Sequence, residues 1–314
     1  MSTLVYYASD VHGTERLWRK FLNAGKFFEA NVLIMGGDVA GKAVLPIERI
    51  GGSYLAPRIT GDRLLSEDEL EDVETKIRNR GFYPYRVDRD ELDALRNDPE
   101  MVSELFRSVM VEEFGRWLAL AEERLSGTGI RLFVMLGNDD EPRLKDVIAA
   151  SNAAVDSEEG VVDVGETFEM VSCGWSNPTP WASPREMPEE RLEAHLESLI
   201  LQLKDPKLGI FNFHVPPYGT TLDVAPVLDD TLKPVVKAGQ IMMGPVGSKA
   251  VRAVIEKYQP ALGLHGHIHE SRGTTKLGKT ICINPGSAYS EGVLHGALIE
   301  LSAGKVQHYR LASG

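Results

Sequence analysis

Apolar and polar positions along the chain switch between strand-like and helical spacing, and each switch marks an element. Residues 4–9 are a β-prone apolar run that ends in Asp10-Val11-His12-Gly13. Residues 14–24 change to helical spacing, with Leu17, Phe21 and Leu22 on one face. Residues 32–35, Val-Leu-Ile-Met, predict a short buried strand broken at Gly36-Gly37-Asp38. Strand, helix, strand predicts a βαβ unit, and ligands of such sheets gather beyond the carboxyl ends of the strands.

The rhythm stops over residues 41–130. Residues 43–59 predict a hairpin turning at Gly51-Gly52. Ser66-Glu67-Asp68-Glu69 has the form of a capping box and opens an acidic helix. Asp98-Pro99 begins a long helix in which Val102, Phe106, Met110, Phe114 and Leu118 recur every fourth residue, with Gly127 just past its end. One apolar stripe on a charged helix has to pack on something. The expectation is a single domain over residues 1–314 that carries 41–130 as a mostly helical insertion, a cap over the site. Beyond it, strands at 131–136, 168–175, 209–213 and 262–264 alternate with helices at 192–203 and 246–258. Residues 280–283 and 293–301 predict antiparallel strands around Asn284-Pro285-Gly286-Ser287.

Composition narrows the classes. With 43% hydrophobic and 25% charged residues, the chain reads as soluble and globular. No apolar run nears the roughly 20 residues of a membrane-spanning helix, and the opening lacks a basic start and meets Asp10 too early for a secretory signal. Cys173 and Cys282 read as small buried hydrophobes. A cytoplasmic setting with no membrane partner is expected. The net charge is −12, and residues 61–130 hold 18 acids against 10 bases. That balance opposes a protein that tracks a nucleic acid polymer.

Five predicted strands each end in a candidate metal ligand, and five of the eight histidines, His12, His214, His265, His267 and His269, lie at these ends. Singly, each has a duller explanation. Asp10-x-His12 could close a turn, Asn138-Asp139-Asp140 could cap a helix, and His267-x-His269 could be a surface pair. Five together strain that account. Carboxylates, imidazoles and one amide oxygen suit Mn, Fe, Zn or Ni.

In this pattern the chain resembles the calcineurin-like metallophosphoesterases. Their motifs D-x-H, G-D, G-N-H, a lone His and G-H-x-H are matched in order by Asp10-Val11-His12, Gly37-Asp38, Gly137-Asn138, His214 and Gly266-His267-Ile268-His269. The resemblance implies an α/β fold, a two-sheet αββα sandwich with two divalent metal ions at the strand ends. Asp10, His12, Asp38 and His269 would hold one ion, and Asp38, Asn138, His214 and His267 the other. Asp38, Asn138, Asp139 and His214 are the candidate catalytic positions, and a hydroxide between the ions would attack phosphorus.

One position departs: the residue after Asn138 is Asp139, where the family has histidine. An aspartate beside two dications is expected to stay ionised, so it gives no proton to a leaving oxygen. His265 lies outside the ligand pattern and reads either as a buried histidine or as support for a ligand. Gly244-Pro245-Val246-Gly247-Ser248-Lys249 fails as a phosphate loop because Ser precedes Lys, and Ser248 reads as a helix cap. Phe82, Tyr83 and Tyr85 read as buried aromatics. The leading expectation is a phosphodiesterase acting on a small phosphorylated or nucleotide substrate. The alternatives are a nuclease and an interaction module that keeps the fold for partner binding.

Overall fold

Unbroken apolar runs build the middle of the structure, a computed structural model that describes residues 2–158 and 160–314. Val5, Tyr6, Tyr7 and Ala8 are buried in succession, as are Val32, Leu33, Ile34 and Met35, the mark of strands covered on both faces. They lie in a six-stranded sheet of order Lys305–Ser313, His295–Ser302, Thr3–Ala8, Val32–Gly36, Arg131–Met135, Ala154–Asp156. A second six-stranded sheet has the order Gly273–Leu277, Thr280–Asn284, Leu262–Leu264, Ile210–Phe213, Phe168–Cys173, Val162–Val164. The chain is mixed α/β, with eight α-helices among the described residues.

Side-chain alternation sorts each strand between two neighbours. Val5, Tyr7, Val32 and Ile34 share one apolar cluster with Met170, Ile210, Leu262 and Ile283 of the second sheet. Tyr6, Ala8, Leu33 and Met35 turn the other way, into a cluster with Leu17, Trp18 and Phe21 of helix Glu15–Phe27. On the second sheet Val171, Phe211 and Phe213 join helices Glu189–Ile200 and Lys249–Tyr258. Ser248 caps the latter helix, accepting from the Val251 N–H at 3.2 Å.

The segment between strands Val32–Gly36 and Arg131–Met135 is a layer of its own. A four-stranded sheet of order Leu64–Leu65, Ser53–Leu55, Val44–Ile50, Tyr83–Val87 accompanies its helices, and Ile47, Tyr54, Leu65, Leu70, Val73 and Ile77 give it a separate small core. The hairpin turns at Gly51-Gly52. Glu69 accepts from the Ser66 N–H at 3.0 Å. Helix Pro99–Leu125 starts at Asp98, whose carboxylate accepts from the N–H groups of Glu100 and Met101. Met110, Phe114 and Leu118 of its stripe are buried against helix Glu15–Phe27, whereas Val102 is 44% exposed because the first turns run past the core. Trp18 and Trp117 stack with ring centroids 5.4 Å apart, and the Trp18 indole N–H donates to the Trp117 carbonyl at 2.9 Å.

Two features depart from the sequence pattern. Strands Thr280–Asn284 and His295–Ser302 do not pair with each other; the loop around Pro285 carries the chain from the second sheet to the first. Between His214 and Ser248 an arm projects, with Val224–Pro226 paired to Met243–Pro245 and Val236–Lys237 paired to Gln240–Ile241. It leaves Val236, Ile241 and Met243 exposed, so its apolar residues carry no core signal.

The two tryptophans fix how the long helix docks. Trp117→Ala is expected to cost about 3–5 kcal/mol, and Val102→Ala to stay within about 0.5 kcal/mol. Urea unfolding of both variants checks the contrast.

Candidate metal centre

Parallel strands run their carboxyl ends to the same edge, and this alone collects the candidate ligands. Thr3–Ala8, Val32–Gly36 and Arg131–Met135 are neighbouring parallel strands, and Asp10, Asp38 and Asn138 lie in the loops that follow them. Ile210–Phe213 and Leu262–Leu264 are parallel neighbours in the second sheet and lead into His214 and His267.

Three groups of side chains have ligand atoms close enough to share an ion: Asp10, His12 and His269; Asp38, His214 and His267; His12, Asp38 and Asp139. Asp38 Oδ2 lies 3.7 Å from His12 Nε2 and 3.4 Å from His214 Nε2, while Asp38 Oδ1 accepts from the Asp139 N–H at 3.0 Å. One carboxylate oxygen therefore faces both histidines. Asp10 Oδ1 lies 3.4 Å from His269 Nε2, and both Asp10 oxygens accept from the His267 N–H. His12 Nε2 and His269 Nε2 face each other at 3.0 Å, where they must share either a proton or an ion.

The donor set fits divalent ions. The His214 Nδ1–H donates to the Gly36 carbonyl at 2.8 Å, which aims Nε2 at Asp38 Oδ2 3.4 Å away, and that buried Nε2 makes no hydrogen bond. Asn138 Oδ1 is likewise buried without a partner while its Nδ2 donates to Asp139. Buried polar atoms left this way are costly unless something binds them.

For the protein alone, buried charge sets the protonation. Burial would raise the Asp38 carboxyl, but His214, His12 and His267 hold it well below the usual carboxylate range. Asp10, opposed by burial but bonded to His269 and close to His214, falls to about 2. Burial would lower His214, yet Asp38 and Asp10 raise it to about 10. Burial takes His12 down to about 3 and His267 to about 4, the neutral form a metal requires. Asp139, at the rim, is raised by burial and by Asp38, against the pull of Ser183 and Lys42.

The loops are strained and braced. Asp10, His12, Asp38 and His267 all have φ between 42° and 64°, a region disfavoured for residues with a Cβ. A Cβ on Gly137 would collide with Asp38 Oδ1, so only glycine lets the two loops approach.

Asp140 is the brace that motif reading passes over. Fully buried, it accepts from the N–H groups of Val39 at 3.0 Å, Ala40 at 2.8 Å and Gly137 at 2.7 Å, tying the Asp38 loop to the Asn138 loop. From behind, the buried Arg185 guanidinium donates to the Leu136 and Gly137 carbonyls and pairs with Glu158 at 2.8 Å. An aspartate two residues after Asn138 is visible in the chain, but nothing there distinguishes a brace from a cap. His265 joins none of the three groups; its Nδ1–H donates to the Phe213 carbonyl at 2.8 Å, and burial lowers it to about 4.

No protein-family model matches the chain. An uncharacterized protein of Methanocaldococcus jannaschii is 29% identical over 178 residues, 56% of this chain and 73% of the relative. One solved crystal structure is similar over 100% of this chain and 99% of its own, with a TM-score of 0.59 at 17% identity. The crystal structure of TT1561 of Thermus thermophilus is similar over 100% and 99%, with a TM-score of 0.54 at 14% identity. These two likenesses show a shared α/β fold. No helix among the described residues is long and apolar enough to cross a membrane.

Asp140→Ala strands three buried N–H groups, each worth about 1–3 kcal/mol. The variant is expected to lose about 3 kcal/mol or more in urea unfolding, and the amides of Val39, Ala40 and Gly137 to exchange faster with deuterium.

Proposed function

We propose that the chain is a metal-dependent phosphoester hydrolase of metallophosphoesterase type, acting on a small phosphodiester. The observation that carries this reading is the single oxygen of Asp38 facing His12 on one side and His214 on the other, with Asp10, His267 and His269 completing two adjoining groups. In the same reading, the two six-stranded sheets that share a core cluster form the αββα sandwich. Asp10, His12, Asp38 and His269 would hold one divalent ion (Mn, Fe, Zn or Ni), and Asp38, Asn138, His214 and His267 a second. Bound ions supply Lewis acidity toward a phosphoryl group and an activated water.

The chain's own residues do the rest. Asp38 Oδ1 is fixed by the Asp139 N–H, which leaves Oδ2 as the shared oxygen. His214 is oriented by Gly36, and Asp10 is held by the His267 N–H. Residues 41–130 act as a cap that borders the site without supplying a ligand: the segment has no histidine, and a Cβ on its Gly81 would collide with the His12 carbonyl. A cytoplasmic location fits the reading. The interaction-module alternative has one feature in its favour, the exposed apolar residues of the 224–245 arm.

Elemental analysis together with hydrolysis of bis-p-nitrophenyl phosphate and p-nitrophenyl phosphate tests the reading. The expected result is about two ions per chain and a chelator-sensitive rate, faster on the diester. Metal-free protein that stays inert after loading with manganese overturns it in favour of the interaction module. Asp38→Asn is expected to empty both sites and remove most of the activity, and His214→Ala to empty mainly the second.

Metal uptake should also release protons. His214 of the protein alone keeps its proton up to about 10, whereas a ligating imidazole is neutral. Apparent affinity is therefore expected to rise with pH up to that point. Calorimetry in buffers of different ionisation enthalpy reads the released proton directly.

A further inference from the structure

The exposed side of the site carries a cation that no ligand motif includes. The Lys42 ammonium lies 3.6 Å from Asp139 Oδ2, with side chains 47% and 36% exposed, and 5.7 Å from the centre of the Tyr289 ring. That ring packs against His12 at 4.7 Å and His269 at 5.7 Å. Lys42 thus stands beside Asp139, the exposed member of the group whose ligand atoms lie close to those of the buried His12 and Asp38.

Its root and its counter-ion are both pinned. The Gly41 N–H donates to the Tyr83 hydroxyl at 2.7 Å, and a Cβ on Gly41 would meet the Gly81 carbonyl at 2.6 Å. Asp139 accepts from the Ser183 hydroxyl at 2.6 Å and from Asn138 Nδ2 at 3.2 Å. Between them only the lysine stem is free to move. A carboxylate alone beside a developing alkoxide would repel it, whereas an ammonium held on that carboxylate offsets its charge and offers N–H donors.

We propose that Lys42, steered by Asp139, is a catalytic residue whose ammonium hydrogen-bonds the leaving oxygen of the phosphoester; this rests on the hydrolase reading above. The reaction balances as hydrolysis. The oxygen of water bonds to phosphorus and the ester P–O bond breaks with its electron pair on the leaving oxygen. Lys42 stabilises that negative charge and keeps its own proton. A proton from the attacking water reaches the leaving oxygen through solvent.

The test is a series of aryl and alkyl phosphodiesters of graded leaving-group pKa, run on the manganese-loaded wild type, Lys42→Ala and Lys42→Arg. Losing one such donor costs about 10²–10³ in kcat where charge develops fully. Lys42→Ala is therefore expected to lose about 10²-fold or more on alkyl esters and under about 3-fold on p-nitrophenyl esters. It should keep its metal content, show a steeper dependence on leaving-group pKa, and be largely rescued in Lys42→Arg. Gly41→Ala, which displaces the root of Lys42, should steepen the same dependence by a smaller amount. Superimposable slopes for wild type and Lys42→Ala, or a uniform loss that follows lost metal, overturn the role of Lys42 and leave the hydrolase reading standing. A loaded wild type that hydrolyses no ester overturns both.

Discussion

The structure turns on two carboxylates taken out of water. Asp10 and Asp38 are 1% and 3% exposed, and an ionised carboxylate in such a position is tolerated only when paired and hydrogen-bonded. The surroundings meet that demand. Asp10 has the His267 N–H on both oxygens and His269 beside it. Asp38 has the Asp139 N–H, with His12 and His214 facing its other oxygen. The protein alone offsets the remaining negative charge by holding a proton on His214.

That demand explains the backbone around it. To bring loops from five strands within ligand distance, four candidate ligands adopt positive φ, and Gly137 has no room for a side chain. Strain of this kind persists only where the surroundings over-determine it. Asp140 and Arg185 do so: one gathers three N–H groups from two loops, and the other holds the carbonyls behind Asn138. Both are buried with several partners each, and burial together with the nearby Asp38 still pushes the Asp140 carboxyl up to about 6 against its three N–H bonds.

Much of this is legible in the chain. Apolar runs ending in Asp10, Asp38, Asn138, His214 and His267 read as strands with polar ends, and parallel topology then brings those ends together. The braces are not legible, because Asp140 looks like any cap residue and Arg185 lies far away in sequence. The strand after Pro285 joins the first sheet rather than the strand before it, since periodicity identifies a strand but not the sheet it enters. The 224–245 arm is hidden for a related reason: a reading by pattern treats apolar residues as core, and Val236, Ile241 and Met243 are exposed.

The segment between the second and third parallel strands of the first sheet has a narrower relation to the site than its length suggests. It contributes no imidazole, and its own small core, around Ile47, Leu70 and Ile77, is separate from the main ones. Its link to the site is largely through backbone. The Gly81 carbonyl faces Gly13 and Gly41, and the Tyr83 hydroxyl takes the Gly41 N–H. These contacts fix the chain where it leaves Asp38, and Lys42 is the first side chain beyond that clamp. The layer therefore bears on backbone in two loops, packing Gly81 against Gly13 and the His12 carbonyl as well as against Gly41. Asp139 belongs with that layer in its effect. Its carboxylate lies 3.6 Å from the Lys42 ammonium, which links the loop after Arg131–Met135 to the segment that follows Asp38.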